Sequence, residues 1–239
     1  MRGWLVLPLA LVHAFGYAGV ALLWATLLPR SFRRWADRII RGWGRSMGWI
    51  LGVRVVQEGR EHLPPGGGRI LMFNHVSVLD LVVYSSIWPD GGTVVYKQEF
   101  HRIPILGKVM RAAGFISIDR SDREAGRASL DEAGRRIREG GATVVIAPEG
   151  TRSRHGRLLP FKKGPFHLAL DTRAPVVVAV MTGSTDRLRP GSWVVRPGEV
   201  RVRYHAPLPT LEWDAETLEQ HLDEVRALFL EDLEDAGGA

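Results

Sequence analysis

The first fifty residues are patterned unlike the rest of the chain. Trp4 to Leu28 is a run of 25 residues without Asp, Glu, Lys or Arg, interrupted only by Pro8 and His13. At 1.5 Å per residue it makes a helix of about 37 Å, against a bilayer hydrocarbon core of roughly 30 Å. A signal peptide fits this run less well, because its apolar stretch is too long, one Arg precedes it and no clear small-x-small cleavage site follows. Beyond it, Arg34, Arg38, Arg41 and Arg45 recur at helical spacing, while Trp35, Ile39, Trp43, Met47 and Ile50 recur on nearly the opposite face. This basic amphipathic helix is expected to turn Arg toward phosphate headgroups and Trp and Ile toward the acyl boundary; the competing reading is an Arg face in water over a protein core.

From residue 53 the pattern changes to short apolar runs alternating with longer helical stretches. Strands are predicted at 53–57, 69–73, 93–96, 114–118, 143–147, 175–180 and 200–204, and helices at 78–88, 104–112, 122–139, 163–171 and 215–234. The third helix opens on a capping box, Ser121-Asp122-Arg123-Glu124, turns Leu130, Ala133 and Ile137 inward and stops at Gly140-Gly141. In the last, Leu218, Leu222, Val225 and Phe229 share one face at i, i+4, i+7, i+11 spacing. Pro64-Pro65-Gly66-Gly67-Gly68 reads as a turn, since no Gly-Lys-Ser/Thr and no helix follow it. The fold class is therefore α/β, a mixed β-sheet covered by helices. It is preceded by a membrane-attached two-helix segment at 1–52, with the α/β domain and its terminal helix at 53–239.

Composition sharpens this in two ways. With no cysteine among 239 residues, thiolate nucleophiles, disulfides and Cys-ligated metals are excluded. The net charge of +6 is unevenly spread: +7 over residues 1–54, +8 over 55–210, and −9 over 211–239, where one Arg faces ten acids. A basic front and middle call for an anionic partner, which could be a membrane, a phosphate substrate or nucleic acid. The Arg cluster after the apolar run predicts that this side faces the cytoplasm.

Three polar motifs follow predicted strands. Asn74-His75-Val76-Ser77-Val78-Leu79-Asp80 places an imidazole and a carboxylate five residues apart. Five helical residues turn through about 140°, so His75 is expected in a loop and Asp80 in the first turns of the next helix, with Asn74 or Ser77 as its cap. A carboxylate on one ring nitrogen fixes the tautomer and leaves the other nitrogen to act as general base. Ala147-Pro148-Glu149-Gly150-Thr151-Arg152 follows the fifth strand; Gly150 admits close backbone approach, Arg152 can fork onto phosphate, and Glu149 can bond a hydroxyl or fix that Arg. Phe161-Lys162-Lys163-Gly164 adds two positive charges downstream. Phe115-Ile116-Ser117-Ile118-Asp119-Arg120 ends on an Arg just past a strand, placed either for a phosphate or for an ion pair with Asp119.

Taken in order, Asn-His-x4-Asp, the Phe-Ile-x-Ile-Asp-Arg strand end and Pro-Glu-Gly-Thr-Arg resemble the glycerolipid acyltransferases of the 1-acyl-glycerol-3-phosphate acyltransferase type, over roughly residues 70–180. Lys97 to Gly107, with Pro104, resembles that family's segment between the first two motifs. The family's last motif commonly carries two prolines around an apolar strand, and Ala179 stands at the second here. The resemblance implies that His75, oriented by Asp80, deprotonates a glycerol hydroxyl as it attacks an acyl thioester. Asn74, Glu149, Gly150, Thr151 and Arg152 would line the acceptor site, with Arg120 and, less directly, Lys97 on the acceptor phosphate. It implies acyl-CoA or acyl-carrier protein as co-substrate, no other cofactor and no metal, with lysophosphatidic acid and membrane lipids as partners and the active site on the cytoplasmic membrane face. A relative with another acceptor, glycerol-3-phosphate or another lysolipid, shares every motif. A lipid hydrolase would need a Ser nucleophile, and no G-x-S-x-G is present. A nucleic-acid binder would leave three polar motifs at strand ends unexplained.

Overall fold

The computed structural model of the protein describes residues 3–119 and 121–237. The chain opens with two antiparallel helices, α1 (Gly3–Leu27) and α2 (Pro29–Leu51), joined through Leu28 alone. Pro29 suits the first position of α2, where its missing N–H and fixed φ cost nothing. The hairpin is closed by polar contacts whose sequence separation shrinks toward the elbow: the His13 ring with the Ser46 hydroxyl at 2.8 Å, Tyr17 Oη to the Ile39 carbonyl at 2.8 Å, and Trp24 Nε1 to Ser31 Oγ at 3.3 Å.

The α/β domain follows as β1 (Val53–Glu58), β2 (Arg69–Phe73), α3 (Leu79–Ser86), β3 (Gly92–Lys97), α4 (Pro104–Ala112), β4 (Ile116–Ile118), α5 (Arg123–Gly140), β5 (Thr143–Ile146), α6 (Gly164–Thr172), β6 (Val176–Thr182), α7 (Ser184–Arg187), β7 (Gly198–Tyr204) and α8 (Leu218–Asp235). All seven predicted strands form. They make one sheet in the order β1-β7-β6-β2-β5-β3-β4. The five strands from β6 to β4 are parallel; β7 is antiparallel to β6 and carries β1 parallel to itself.

Alternation along the strands divides the core in two. Ile70, Met72, Val144, Ile146, Val176 and Val178 face α5, α6 and α8, where Ile137, Phe166, Val225 and Phe229 are buried. Leu71, Val145, Val177, Ala179 and Met181 face α2 and α3, meeting Met47, Leu51, Leu79 and Val83. Helix α8 packs on the first face through the four residues expected. It is also fastened to β7 by Asp232, which is buried and accepts from His205 Nε2 at 2.8 Å and from Arg203 at 2.7 Å.

Two expectations need correction. The apolar face of α2 meets protein, not lipid: Met47 is buried in the second core, Trp43 and Ile50 pack against it, and Ile39 packs at the elbow with Ala21, Ala25 and Phe32. The reason is a close approach to α3, where a Cβ on Gly44 would fall 2.1 Å from the Ser86 nitrogen. Arg41 of the basic stripe also turns to protein, pairing with Asp90 at 2.8 Å just past α3, while the Arg38 guanidinium lies 4.4 Å over the half-exposed Trp35 ring. The exposed apolar surface belongs instead to α1, whose small Ala10, Ala21 and Ala25 face inward while Val12, Phe15, Val20, Leu23 and Leu27 face out. The second correction concerns the cap of α5: Asp122 accepts from the Glu124 and Ala125 amides at 2.9 and 3.1 Å, while Ser121 bonds Asp119. An Asp one residue nearer the helix takes the role assigned to the Ser hydroxyl.

Candidate active site

In an open parallel sheet the loops at the carboxyl ends of the strands form the ligand crevice, and the motifs after β2 and β5, neighbours in the sheet, meet there. After β2 the chain leaves the sheet as a loop, Asn74 to Val78, before α3 begins at Leu79. His75 lies in that loop and Asp80 in the first turn of α3, which resolves their awkward spacing. Asp80 is buried, and its Oδ2 accepts three hydrogen bonds: from His75 Nδ1 at 2.9 Å, from the Val76 amide at 2.7 Å and from the Ser77 amide at 2.8 Å. One carboxylate oxygen therefore holds the ring and shapes the loop that carries it. A carboxylate only accepts, so Nδ1 carries the proton and Nε2 keeps a free lone pair. The His75 side chain retains 30% exposure, which leaves that nitrogen reachable from the crevice.

Two residues expected to touch substrate are enclosed instead. The Asn74 amide is fully buried, with Nδ2 donating to the Met181 carbonyl at 2.9 Å and Oδ1 accepting from the Met181 amide at 2.8 Å. It neither caps α3 nor faces the crevice; it ties the end of β2 to β6. Ser77 is not the cap either: the N-cap position is Val78, without a side-chain cap bond, and Ser77 Oγ accepts from the Leu79 amide at 3.2 Å from one residue further out. The Glu149 carboxylate is likewise buried and accepts from the His75 amide through Oε1 and the Leu159 amide through Oε2, both at 2.7 Å. Burial raises its pKa, opposed by those two amide bonds. Glu149 thus holds the His75 backbone and the loop at Leu159, with its carboxylate enclosed in protein and turned onto two amides instead of toward solvent.

The rest of the third motif stays at the surface, beside the His75 loop. Gly150 adopts φ of +72°, a left-handed turn that glycine takes without strain, and its amide donates to the Ala147 carbonyl at 3.0 Å. Thr151 and Arg152 are exposed, and the next amide, Ser153, donates to the His75 carbonyl at 2.8 Å, so the two loops are stitched side by side. Lys97, at the carboxyl end of β3, is half-exposed and paired with Glu99 at 2.7 Å. It stands two strands from β2, farther from His75 than the loop after β5. Arg120 lies outside the described residues. The motif reading did not single out Met181 or Ser153, which act through backbone groups and carry no side-chain signal, nor α7, whose following residue Leu188 accepts from Ser77 Oγ at 3.3 Å. Among the described residues, no group of three or more His, Asp or Glu side chains is placed to hold a metal ion.

Comparison with known proteins gives the family. The acyltransferase family model matches residues 54–182, spanning β1 to the end of β6. The 1-acyl-sn-glycerol-3-phosphate acyltransferase of Cocos nucifera is 35% identical over 209 residues, covering 87% of this chain and 67% of the relative. That of Saccharomyces cerevisiae is 30% identical over 232 residues, covering 96% of this chain and 76% of the relative. The crystal structure of the 1-acyl-sn-glycerophosphate acyltransferase PlsC from Thermotoga maritima superposes with a TM-score of 0.82 at 25% identity, covering 100% of this chain and 97% of that one. The chain belongs to the glycerolipid acyltransferases of the 1-acyl-sn-glycerol-3-phosphate acyltransferase type, and it is an O-acyltransferase.

Proposed function

We propose that the protein transfers an acyl group from an acyl thioester, acyl-CoA or acyl-carrier protein, to the sn-2 hydroxyl of 1-acyl-glycerol-3-phosphate, forming phosphatidic acid. The observation that carries the mechanism is the His75–Asp80 pair, with Nδ1 held at 2.9 Å and Nε2 open to the crevice. His75 Nε2 takes the hydroxyl proton as the acceptor oxygen bonds to the thioester carbonyl carbon. The tetrahedral adduct then collapses, the C–S bond breaks, and the proton passes from the imidazolium to the departing thiolate. The thioester is already activated, so no covalent enzyme intermediate is needed and a cysteine-free chain suffices. Asp80 stabilises the imidazolium, while Asn74 and Glu149 hold the loop ends. Gly150, Thr151 and Arg152 form the wall beside the base, where Arg152 can fork onto the acceptor phosphate, with Arg120 and Lys97 as further cations.

The choice of acceptor rests on the named relatives and on the cations beside the base. Membrane attachment through the α1–α2 hairpin, with the site on the cytoplasmic face, suits an amphiphilic acceptor and product. The uncharged run 6–27 in α1 is long enough to cross a bilayer and is mostly uncovered by protein, and eight Arg fall within residues 1–54. The test uses purified, detergent-solubilised protein with a labelled acyl thioester offered separately to 1-acyl-glycerol-3-phosphate and glycerol-3-phosphate. Phosphatidic acid from the first alone, lost in His75→Ala, is the expected result. Product from the second alone moves the acceptor, and near-normal turnover in folded His75→Ala removes the base.

A further inference from the structure

Between α7 and β7 the chain forms a loop that none of the motifs accounts for, and its tip is apolar. Trp193 is 79% exposed and Val194 57% exposed, whereas Trp88 and Trp213 are buried. The tip is built, not slack. Arg189-Pro190-Gly191-Ser192 is a tight turn with Pro second and Gly third, Gly191 at φ of +76°, closed by the Ser192 amide on the Arg189 carbonyl at 3.0 Å. Ser192 Oγ accepts from the Val194 amide at 3.0 Å, and the base is pinned by the Arg196 amide on the Arg187 carbonyl at 2.7 Å. A tryptophan held out into water by a shaped turn exposes a large apolar ring for which the fold has no use.

We infer that this tip is a second bilayer contact, inserting Trp193 and Val194 at the headgroup boundary beside the active-site mouth. The inference rests on the membrane reading proposed above. Three observations select lipid as the occupant. The loop is continuous with the hairpin: the Gly198 amide donates to the Gly52 carbonyl at 2.9 Å, a Cβ on Gly52 would meet Pro197 at 3.0 Å, and Trp49, one turn before Gly52, is 83% exposed. Its charge matches an anionic surface, since Arg189 and Arg196 flank the tip and are exposed, and Asp186 is the one acid from Gly183 to Pro197. It also borders the catalytic loop, through Ser77 Oγ on the Leu188 carbonyl at 3.3 Å. Trp with flanking Arg is the composition that settles at a membrane interface. The acidic helix α8 packs on the opposite face of the sheet from α2, so the charge distribution turns the same end of the molecule toward lipid.

The absence of native cysteine makes the test direct. Single-cysteine full-length proteins Val194→Cys, Phe15→Cys on α1 and Asp223→Cys on α8, each carrying an environment-sensitive fluorophore, are mixed with vesicles of phosphatidylcholine and phosphatidylglycerol, some bearing lipid-attached nitroxide. The inference expects blue-shifted, quenched emission at positions 194 and 15 and none at 223. A shift at 15 without one at 194 overturns the inference and leaves the hairpin reading standing, with the tip free for a protein partner. A shift at 194 alone supports the loop contact and removes the hairpin from the bilayer. No shift at either overturns both readings.

Discussion

Replacing Asp80 by Asn isolates what its charge contributes. In a site where the carboxylate meets the histidine and little else, Asn can turn its amide group toward the ring and invert the tautomer, costing about 10⁴-fold in rate. Here the geometry forbids that inversion, because His75 Nδ1 and the Val76 and Ser77 amides all converge on one oxygen, Oδ2. An amide NH2 in that position would face three donors. The Asn carbonyl must therefore occupy it, the NH2 falls where Oδ1 sits buried with no partner among the described residues, and the tautomer survives. What is lost is the attraction between carboxylate and imidazolium, about 4 kcal/mol at 4 Å for an effective dielectric of 20. With the proton between half and fully transferred in the transition state, about 2–4 kcal/mol is forfeited, a fall in kcat of roughly 30- to 1,000-fold. An unpaired buried NH2 and two weakened amide bonds should cost about 3 kcal/mol of stability as well. The assay is single-turnover acyl transfer at saturating acceptor with a thermal melt on the same sample. A loss equal to that of His75→Ala, from folded protein, would refute the three-donor argument, and a loss under threefold would refute the charge.

Glu149→Gln should lower kcat by about tenfold with KM for the acceptor unchanged, because one amide of the pair it bridges then faces an NH2; a raised KM with kcat intact would return Glu149 to the acceptor site. Asn74→Ala leaves the Met181 N–H and carbonyl unpaired in the core and should destabilise by about 4 kcal/mol in denaturant titration. Gly44→Ala drives a methyl into the α3 backbone and should cost about 3 kcal/mol, lowering Tm by roughly 6–12 °C; an unchanged melt would mean that α2 is not seated on α3. Burial pushes the Tyr204 phenol up to about 12. The folded state then holds a proton that the unfolded chain releases near pH 10, so Tyr204 contributes its full stability below pH 10 and loses about 2.7 kcal/mol as pH rises through 12. Tyr204→Phe should flatten that alkaline fall, measured by denaturant midpoints from pH 9 to 12.

The strands were legible because β-branched runs such as Val176-Val177-Val178 and Val144-Val145 between turn residues have few other fates. Their order was not, since pairing is decided by contacts far apart in sequence; nothing local marks the reversal between β6 and β7. Helix α7, four residues long, has no periodicity to detect. At the site, motif spacing found His75 and Asp80 and placed each on the right element. It misjudged Asn74 and Glu149, because residue type says that a side chain can bond and only burial says with what. The face of α2 was misassigned for a related reason: an Arg stripe opposite a Trp–Ile–Met stripe has one pattern whether the apolar side meets lipid or α3, and Gly44, which decides between them, looks like any other glycine.

One residue, Leu28, separates α1 from α2, and one residue, Gly52, separates α2 from β1. A single residue spans at most about 3.6 Å, too little to act as a tether. The hairpin is in this sense a keel, not an anchor chain: the catalytic crevice cannot rise, swivel or search independently of whatever surface α1 rests on. On the membrane reading proposed above, its height and tilt are set when the hairpin docks, and an acceptor comes to that fixed depth to be acylated. Lengthening the Gly52 junction alone would not release the crevice, because Met47 and Leu51 stay packed in the core with α3 and Gly44 stays against the α3 backbone.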